Sequence, residues 1–154
     1  IMNKLLFFFL LFYLHVASVY SDIIKPNTKI EPYNVVEIQL ISLKNNDKPD
    51  KDFGIEQTWE FAHPENKINT GPLNKFKKML KNEIYSILLN HKNHKIEEIY
   101  NNKKIAIYDV IILGSDNFYY EFKWQVERYD GKGSLNNCWL TTAVSNPVSL
   151  GAQI

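Results

Sequence analysis

The period of the apolar residues changes along the chain, from about 3.6 before residue 91 to 2 after it. In the first part, residues 35–45 predict a helix that follows Asn34 as its cap. Its apolar side chains form a stripe along one side. The stripe consists of Val35, Ile38 and Ile41, and it is widened by Val36, Leu40 and Leu43.

Prolines and glycines divide the next stretch, GIEQTWEFAHPENKINTGPLNKF at residues 54–76. Asp52 predicts the cap of a second helix that ends at about Ala62, because the residue before Pro64 is disfavoured in helical geometry. Residues 64–70 then predict a turn.

A third helix is predicted to begin with Pro72 at its first position, capped by Thr70 or Gly71. Its apolar face consists of Leu73, Phe76, Met79 and Leu80. A short fourth helix is predicted over residues 84–89.

Strand-like segments follow at residues 94–100, 103–113, 118–129 and 138–144. The third of these alternates most clearly, with charged and polar residues on its second face. Its apolar face consists of Phe118, Tyr120, Phe122, Trp124 and Val126. Helices followed by a strand meander predict the α+β class, with N-terminal helices packed on a curved four-stranded antiparallel sheet.

Two aromatic residues of the second helix are expected to have different partners. Trp59 and Phe61 are two positions apart and so point about 200° away from each other. We expect Trp59 to meet the sheet near Trp124 and to form one aromatic cluster with Trp124 and Trp139. Phe61 is expected to pack against a neighbouring helix.

The N-terminal segment has the features of a secretory signal peptide. The apolar run LLFFFLLFYL at residues 5–14 follows Lys4, and the small residues Ala17, Ser18 and Ser21 come after it. We therefore expect secretion. The alternatives are retention in a membrane by an uncleaved signal and delivery to a plastid-type organelle.

The sequence is accordingly divided into a signal peptide at 1–21, an extended leader at 22–33 and one domain at 34–154. A chain of 154 residues that is 45% hydrophobic is of the size for a single core. Its net charge of +1 does not indicate a basic surface for binding nucleic acid.

The sole cysteine, Cys138, can form no intramolecular disulfide and is interpreted as an inert buried thiol. The abundance of lysine and asparagine is interpreted as the codon bias of an AT-rich genome.

Five segments together resemble the family called domain of unknown function 4864. They are VVEIQLISLKNND, GIEQTWEFAHPENK, TGPLNKFKKML, LLNHKNH and CWLTT, and the resemblance runs from Val35 to the C-terminus. It implies a relationship to the nuclear-transport-factor-2-like (cystatin-like) cone-shaped α+β domains. Since that superfamily holds ketosteroid isomerases, scytalone dehydratases and non-catalytic members, the resemblance implies a cone with a pocket but no particular reaction.

In the catalytic relatives a carboxylate, or a carboxylate with a histidine, removes a proton inside the cone. The candidates here are Asp109, His63 and His91, of which Asp109 and His63 are favoured. Asp109 lies among isoleucines on its strand face, where a carboxylate must be paired, protonated or solvated. The alternative is that this face is the outer, partly wet one. The alternative for His63 is donation to a carbonyl at a helix end.

His91 and His94 have a spacing found in metal sites, but no carboxylate or cysteine stands at ligand spacing beside them. We expect solvated loop histidines, and neither a metal nor another cofactor.

Three functions remain from the sequence. The favoured one is a non-catalytic domain that binds a small apolar ligand or a partner. The second is a cofactor-free isomerase, lyase or hydrolase that uses Asp109 or His63. The third is a homodimer through an outer sheet face. The candidate ligand-binding residues are Trp59, His63, Tyr120, Phe122, Trp124 and Trp139. The candidate dimer residues are Tyr119, Lys123, Gln125 and Tyr129.

The signal peptide generates a prediction about the mature protein. We expect its first residue to lie between Val19 and Ile23, because the small residues there are typical of a cleavage site. N-terminal sequencing of native protein measures this, and a mature chain that retains Met2 would contradict it.

Overall fold

A computed structural model describes residues 22–152, and the predicted signal peptide at 1–21 lies outside the described residues. Residues 22–152 form four α-helices, one 3-10 turn and a five-stranded antiparallel sheet that is not closed. The predicted α+β class is confirmed. Between residues 22 and 152, no helix combines the length and the apolar character that crossing a bilayer requires.

The helices come first in the chain and the strands follow. The helices are α1 (Pro32–Lys44), α2 (Phe53–Glu60), α3 (Pro64–Thr70) and α4 (Leu73–Leu80), and the 3-10 turn is Ser86–Leu88. The strands are β1 (Asn93–Asn101), β2 (Ile105–Leu113), β3 (Tyr119–Arg128), β4 (Trp139–Val144) and β5 (Val148–Gly151).

The sheet has the order β1-β2-β3-β4, and β3 pairs with two strands along its other edge. The first residues of β3 pair with β5 and its last residues pair with β4. The register of the β3–β4 pair shifts between Gln125 and Val126. The sequence predicted four strands. The fifth was missed because β5 has four residues and no apolar alternation beyond Val148 and Leu150.

One face of the sheet is buried under the helices. On it lie Ala106, Tyr108, Val110 and Ile112 of β2 and Phe122, Trp124 and Val126 of β3. The predicted buried face of the third strand is therefore confirmed at its centre. Phe118 is an exception, because it lies before β3 and is 45% exposed.

Helix α1 begins at Pro32, earlier than predicted, since proline fits the first turn of a helix. Its buried face also differs from the predicted stripe, because Ile41 is 49% exposed. The buried residues are Pro32, Val35, Val36, Gln39, Leu40 and Leu43. The buried face of α1 is rotated away from the predicted stripe because α1 packs against both the sheet and α2.

The segment before α1, predicted as an extended leader, contains no helix or strand up to residue 31. The side chain of Gln57 holds it by accepting a hydrogen bond from the backbone N–H of Ile24 at 2.7 Å and donating one to its carbonyl at 2.9 Å. Lys25 also pairs with Glu60 at 2.9 Å.

The turn predicted at residues 64–70 is in fact helix α3. Pro64 ends the preceding helix, but it also occupies the first turn of a new one, where its missing N–H costs nothing. Helix α4 likewise begins at Leu73 with Pro72 as its N-cap, one position later than predicted. The short fourth helix shrinks to the 3-10 turn.

Asp52 precedes α2, as predicted, but its side chain makes no capping bond. Its carboxylate instead lies 2.7 Å from the Lys81 ammonium group, and Lys77 pairs with Glu56 at 2.6 Å. The hydrogen bond from Lys81 holds the pKa of Asp52 below its usual value, against the effect of burial. These ion pairs connect α2 to α4.

Helices α1 and α2 approach closely at Gly54. Its N–H donates to the Asn46 carbonyl at 2.9 Å. A Cβ at this position would collide with the Ser42 carbonyl and would lie 2.9 Å from the Cα of Asn46. Because both neighbours are backbone atoms, no side-chain movement relieves the collision.

We therefore expect Gly54→Ala to lower the free energy of unfolding by about 3 kcal/mol, at the upper end of overpacking costs. Urea unfolding measures this. The control is Gly133→Ala, where a Cβ meets no atom within 4 Å and only the positive φ of +93° is unfavourable, at about 1 kcal/mol. Equal losses in the two variants would contradict the close approach.

Candidate functional site

A cavity of about 220 Å³ lies between the helices and the part of the sheet formed by β3 and β4. Its apolar lining consists of Leu43, Ala62, Phe76, Met79, Leu80, Leu88, Trp124, Ala143 and Val144. Its polar lining consists of Gln39, Thr58, Asn66, Thr70, Tyr85, Thr141 and Thr142. Among the described residues, no aspartate, glutamate, histidine, lysine, arginine or cysteine lines it.

A hydrogen-bond network centred on Gln39 forms the polar floor of the cavity. The Oε1 atom of Gln39 accepts bonds from Trp124 Nε1 at 3.1 Å and from Thr141 Oγ1 at 2.6 Å. Its Nε2 atom donates to the Thr58 carbonyl at 3.1 Å. Gln39, Thr58 and Thr141 are all buried, and each has a partner, as buried polar groups require.

The link between α2 and α3 is bonded to β4 and thereby fixes one side of the cavity. Thr141 donates its N–H to the Phe61 carbonyl at 2.8 Å. The Thr141 carbonyl accepts from the His63 N–H at 2.9 Å and from Asn66 Nδ2 at 3.0 Å. Ala62 forms a parallel bridge with the same residue.

His63 lies beside the cavity rather than in its lining. Its Nδ1 accepts a hydrogen bond from the Glu65 N–H, so the side chain caps the start of α3. The expectation that it donates to a terminal carbonyl is wrong, because the helix it caps was not predicted. Its ring meets that of Tyr129 edge-on, with 5.3 Å between centres. Tyr129, the residue after β3, therefore contacts the link between α2 and α3.

Asp109 lies on the outer face of the sheet, opposite the helices and the cavity. Its neighbours on β2, Tyr108 and Val110, are the buried ones. Its carboxylate accepts a hydrogen bond from Lys123 on β3 at 2.7 Å, and this bond raises the pKa of Lys123. Asp109 therefore lies on the outer, partly wet face that was the alternative interpretation, and it does not line the cavity.

Of the six predicted ligand-binding residues, Trp124 alone lines the cavity. Phe122 is buried in the core. Tyr120 donates to Asp116 at 2.6 Å. The Trp59 ring lies 5.0 Å from that of Phe76, and Arg128 lies 5.1 Å over the ring of Trp139.

The three tryptophans all touch the core cluster, but the predicted pairing of Trp59 with Trp124 is wrong. Trp59 contacts α4 through Phe76 because α4, and not the sheet, lies beside this side of α2. Phe61 is completely buried. Cys138 is buried as expected, and burial raises the pKa of its thiol.

The expectation that His91 and His94 are solvated is wrong for His91, which is 2% exposed. Its Nδ1 donates to the Leu88 carbonyl at 2.7 Å, so its Nε2 accepts from Nδ1 of His94 at 2.8 Å. Desolvation lowers the pKa of His91 to about 4. Among the described residues, no group of three possible metal ligands occurs.

The polar floor was missed by sequence reasoning. Gln39 stands between Ile38 and Leu40 in an apolar helix, and Thr141 follows Trp139-Leu140 in a strand. A polar residue at a position where the period demands an apolar one is the signal that would have found them.

No match to the chain was found among family models, curated proteins or solved structures. The resemblance to the domain of unknown function 4864 family therefore stays a prediction.

The buried side chain of His91 generates a pH dependence of stability. The unfolded chain takes up a proton at the ordinary pKa of 6.5, whereas folded His91 resists it down to about 4. The contribution of His91 to stability is therefore complete above the unfolded pKa and is lost as the pH falls from 6.5 toward 4.

At pH 5 the loss from this group is about 2 kcal/mol. Urea unfolding of the native sequence and of His91→Gln at pH 7.5 and pH 5 measures it, and the variant should show the smaller pH effect. Equal pH effects in both proteins would mean that His91 is not held neutral by burial.

Proposed function

We propose that this protein is a non-catalytic binding domain for a small, uncharged, largely apolar ligand that carries an oxygen acceptor. The observation that carries this proposal is the cavity with apolar walls, a neutral polar floor and no charged side chain in its described lining. The resemblance to cone-shaped α+β domains agrees with a ligand at this place between helices and sheet.

The lining disfavours charged ligands. A carboxylate, phosphate or ammonium group would lose its water on entry, and no described lining residue offers an opposite charge. A cavity of about 220 Å³ suits a ligand of one or two rings, since cavities near 150 Å³ hold benzene.

The floor supplies hydrogen-bond donors to such a ligand. A side-chain amide carries two N–H bonds. Gln39 uses one toward the Thr58 carbonyl, and Asn66 uses one toward the Thr141 carbonyl. Within residues 22–152 the second N–H of each has no protein partner, so a carbonyl, hydroxyl or ether oxygen of a ligand fits here.

The alternative of an isomerase, lyase or hydrolase needs an acid or base beside the ligand. Asp109 lies on the opposite face of the sheet, and the ring of His63 turns toward Glu65 and Tyr129. Tyr85 is the one titratable group in the described lining, and its hydroxyl donates to Asn146 at 3.3 Å. These positions favour binding over catalysis.

The test uses 2-naphthol as a neutral probe and 2-naphthalenesulfonate as its anionic counterpart. We expect 2-naphthol to change the emission of Trp124, which lines the cavity, with saturation, and the sulfonate to bind at least ~10-fold more weakly because its charge must be desolvated. Titration followed by tryptophan fluorescence measures both affinities.

Two variants place a phenylalanine on a strand. Val144→Phe narrows the cavity, because Val144 lines it and lies opposite Trp124 on the buried face of the sheet, and it should reduce 2-naphthol binding. Ser149→Phe, at an exposed position of β5 outside the lining, should not. Equal binding of both probes, or an equal effect of both variants, would overturn the proposal.

A further inference from the structure

Strand β1 ends the sheet and has an open edge. It is nine residues long, and within residues 22–152 no strand pairs with its far side. Long open edges are uncommon because their unpaired main-chain groups attract another strand. The question is which strand this edge fits.

The hydrogen-bond pattern shows which main-chain groups point outward. Lys92 donates to the Leu113 carbonyl at 2.8 Å, so the main-chain groups of Leu113 and of its register partner Asn93 face each other. The main-chain N–H and C=O groups of successive residues point alternately to the two sides of a strand, so those of Lys95 and Glu97 also bond β2. The N–H and C=O of His94, Ile96 and Glu98 therefore point to the open edge.

This edge is self-complementary. If a second copy pairs antiparallel about a two-fold axis at Ile96, then Ile96 lies opposite Ile96, and His94 lies opposite Glu98 of the second copy. Each of these pairs exchanges two main-chain hydrogen bonds. The register is regular over this stretch, because the bulge of β1 comes after Glu98.

The side chains fit the same register. Lys95 and Glu97 form an ion pair with each other on the outer face at 2.5 Å. About the Ile96 axis, Lys95 of each copy lies opposite Glu97 of the other, in the pairs without hydrogen bonds, where side chains are closest. Four charges of alternating sign then meet across the junction.

From these observations we propose that the protein forms a symmetric homodimer through antiparallel pairing of β1 with β1 of a second copy, centred on Ile96. The two five-stranded sheets become one continuous sheet. No residue of β1 lines the cavity, so this dimer does not depend on the proposed ligand.

The first experiment exchanges charges in the full chain and measures mass by sedimentation equilibrium. Lys95→Glu places two acidic residues on the outer face of β1, at positions 95 and 97, and Glu97→Lys places two basic residues at the same positions. We expect each variant alone to dimerise at least ~10-fold more weakly than the native protein, because like charges lie opposite each other. An equimolar mixture of the two should form heterodimers.

This mixture separates pairing from an effect on folding, since a folding defect is not repaired by adding the other variant. A native chain that is monomeric at every concentration up to about 1 mM, where even weak association is seen, would overturn the proposal. So would a dimer whose affinity neither charge variant changes, because it would use another surface.

A second pair of variants tests the main-chain bonds. Glu98→Pro removes an N–H that points to the open edge and leaves the bonds of β1 to β2 intact, and Glu98→Ala removes only the side chain. Dimerisation should be weakened by proline well beyond the effect of alanine. Equal effects of the two substitutions would exclude pairing through this edge.

Discussion

The buried amide of Gln39 links two helices to two strands of the sheet through hydrogen bonds. From α1 it bonds the indole of Trp124 on β3, the hydroxyl of Thr141 on β4 and the carbonyl of Thr58 on α2. An apolar side chain of the same size would leave the Thr141 hydroxyl hydrogen and the Thr58 carbonyl without these partners, each at a cost of about 1–3 kcal/mol, and would leave Trp124 Nε1 with only its 3.3 Å bond to Thr141 Oγ1. The same four residues line the cavity or form its polar floor, so Gln39 contributes both to the cavity lining and to the stability of the core.

The fold was predictable wherever the hydrophobic pattern was long and regular. Tyr119–Arg128 alternates over ten residues, and its buried face followed directly from the period. The pattern failed where local chemistry is ambiguous. Pro64 both ends one helix and begins another, and the four residues of β5 are too few to display a period. In α1 the apolar residues cover so much of the helix surface that the pattern alone does not show which of them are buried. The contact of α1 with α2 determines which residues are buried.

The candidate site was less predictable because a large aromatic side chain can lie in the core as well as in the lining of a cavity. Trp59, Phe122 and Trp139 support the core around the cavity, whereas small and neutral residues such as Thr58, Asn66 and Ala143 line it. Asp109 drew attention as a carboxylate among isoleucines, but Lys123 on the neighbouring strand supplies its partner. A cross-strand register is needed to see that pair, and alternation within one strand does not give it.

The edges of the sheet at β1 and at β4 differ in whether other parts of the chain cover them. At the far side of β4, the main-chain groups of Thr141 are already bonded to Phe61 and His63, so the corner between α2 and α3 covers this edge at Thr141. Within residues 22–152, β1 carries no such cover. In the proposed homodimer each copy uses its own β1 edge to pair with the β1 edge of the other, so the two-fold contact closes on itself and would stop at two chains. Growth into a fibre would need a second open edge of comparable length, and the helical corner covers β4 at Thr141.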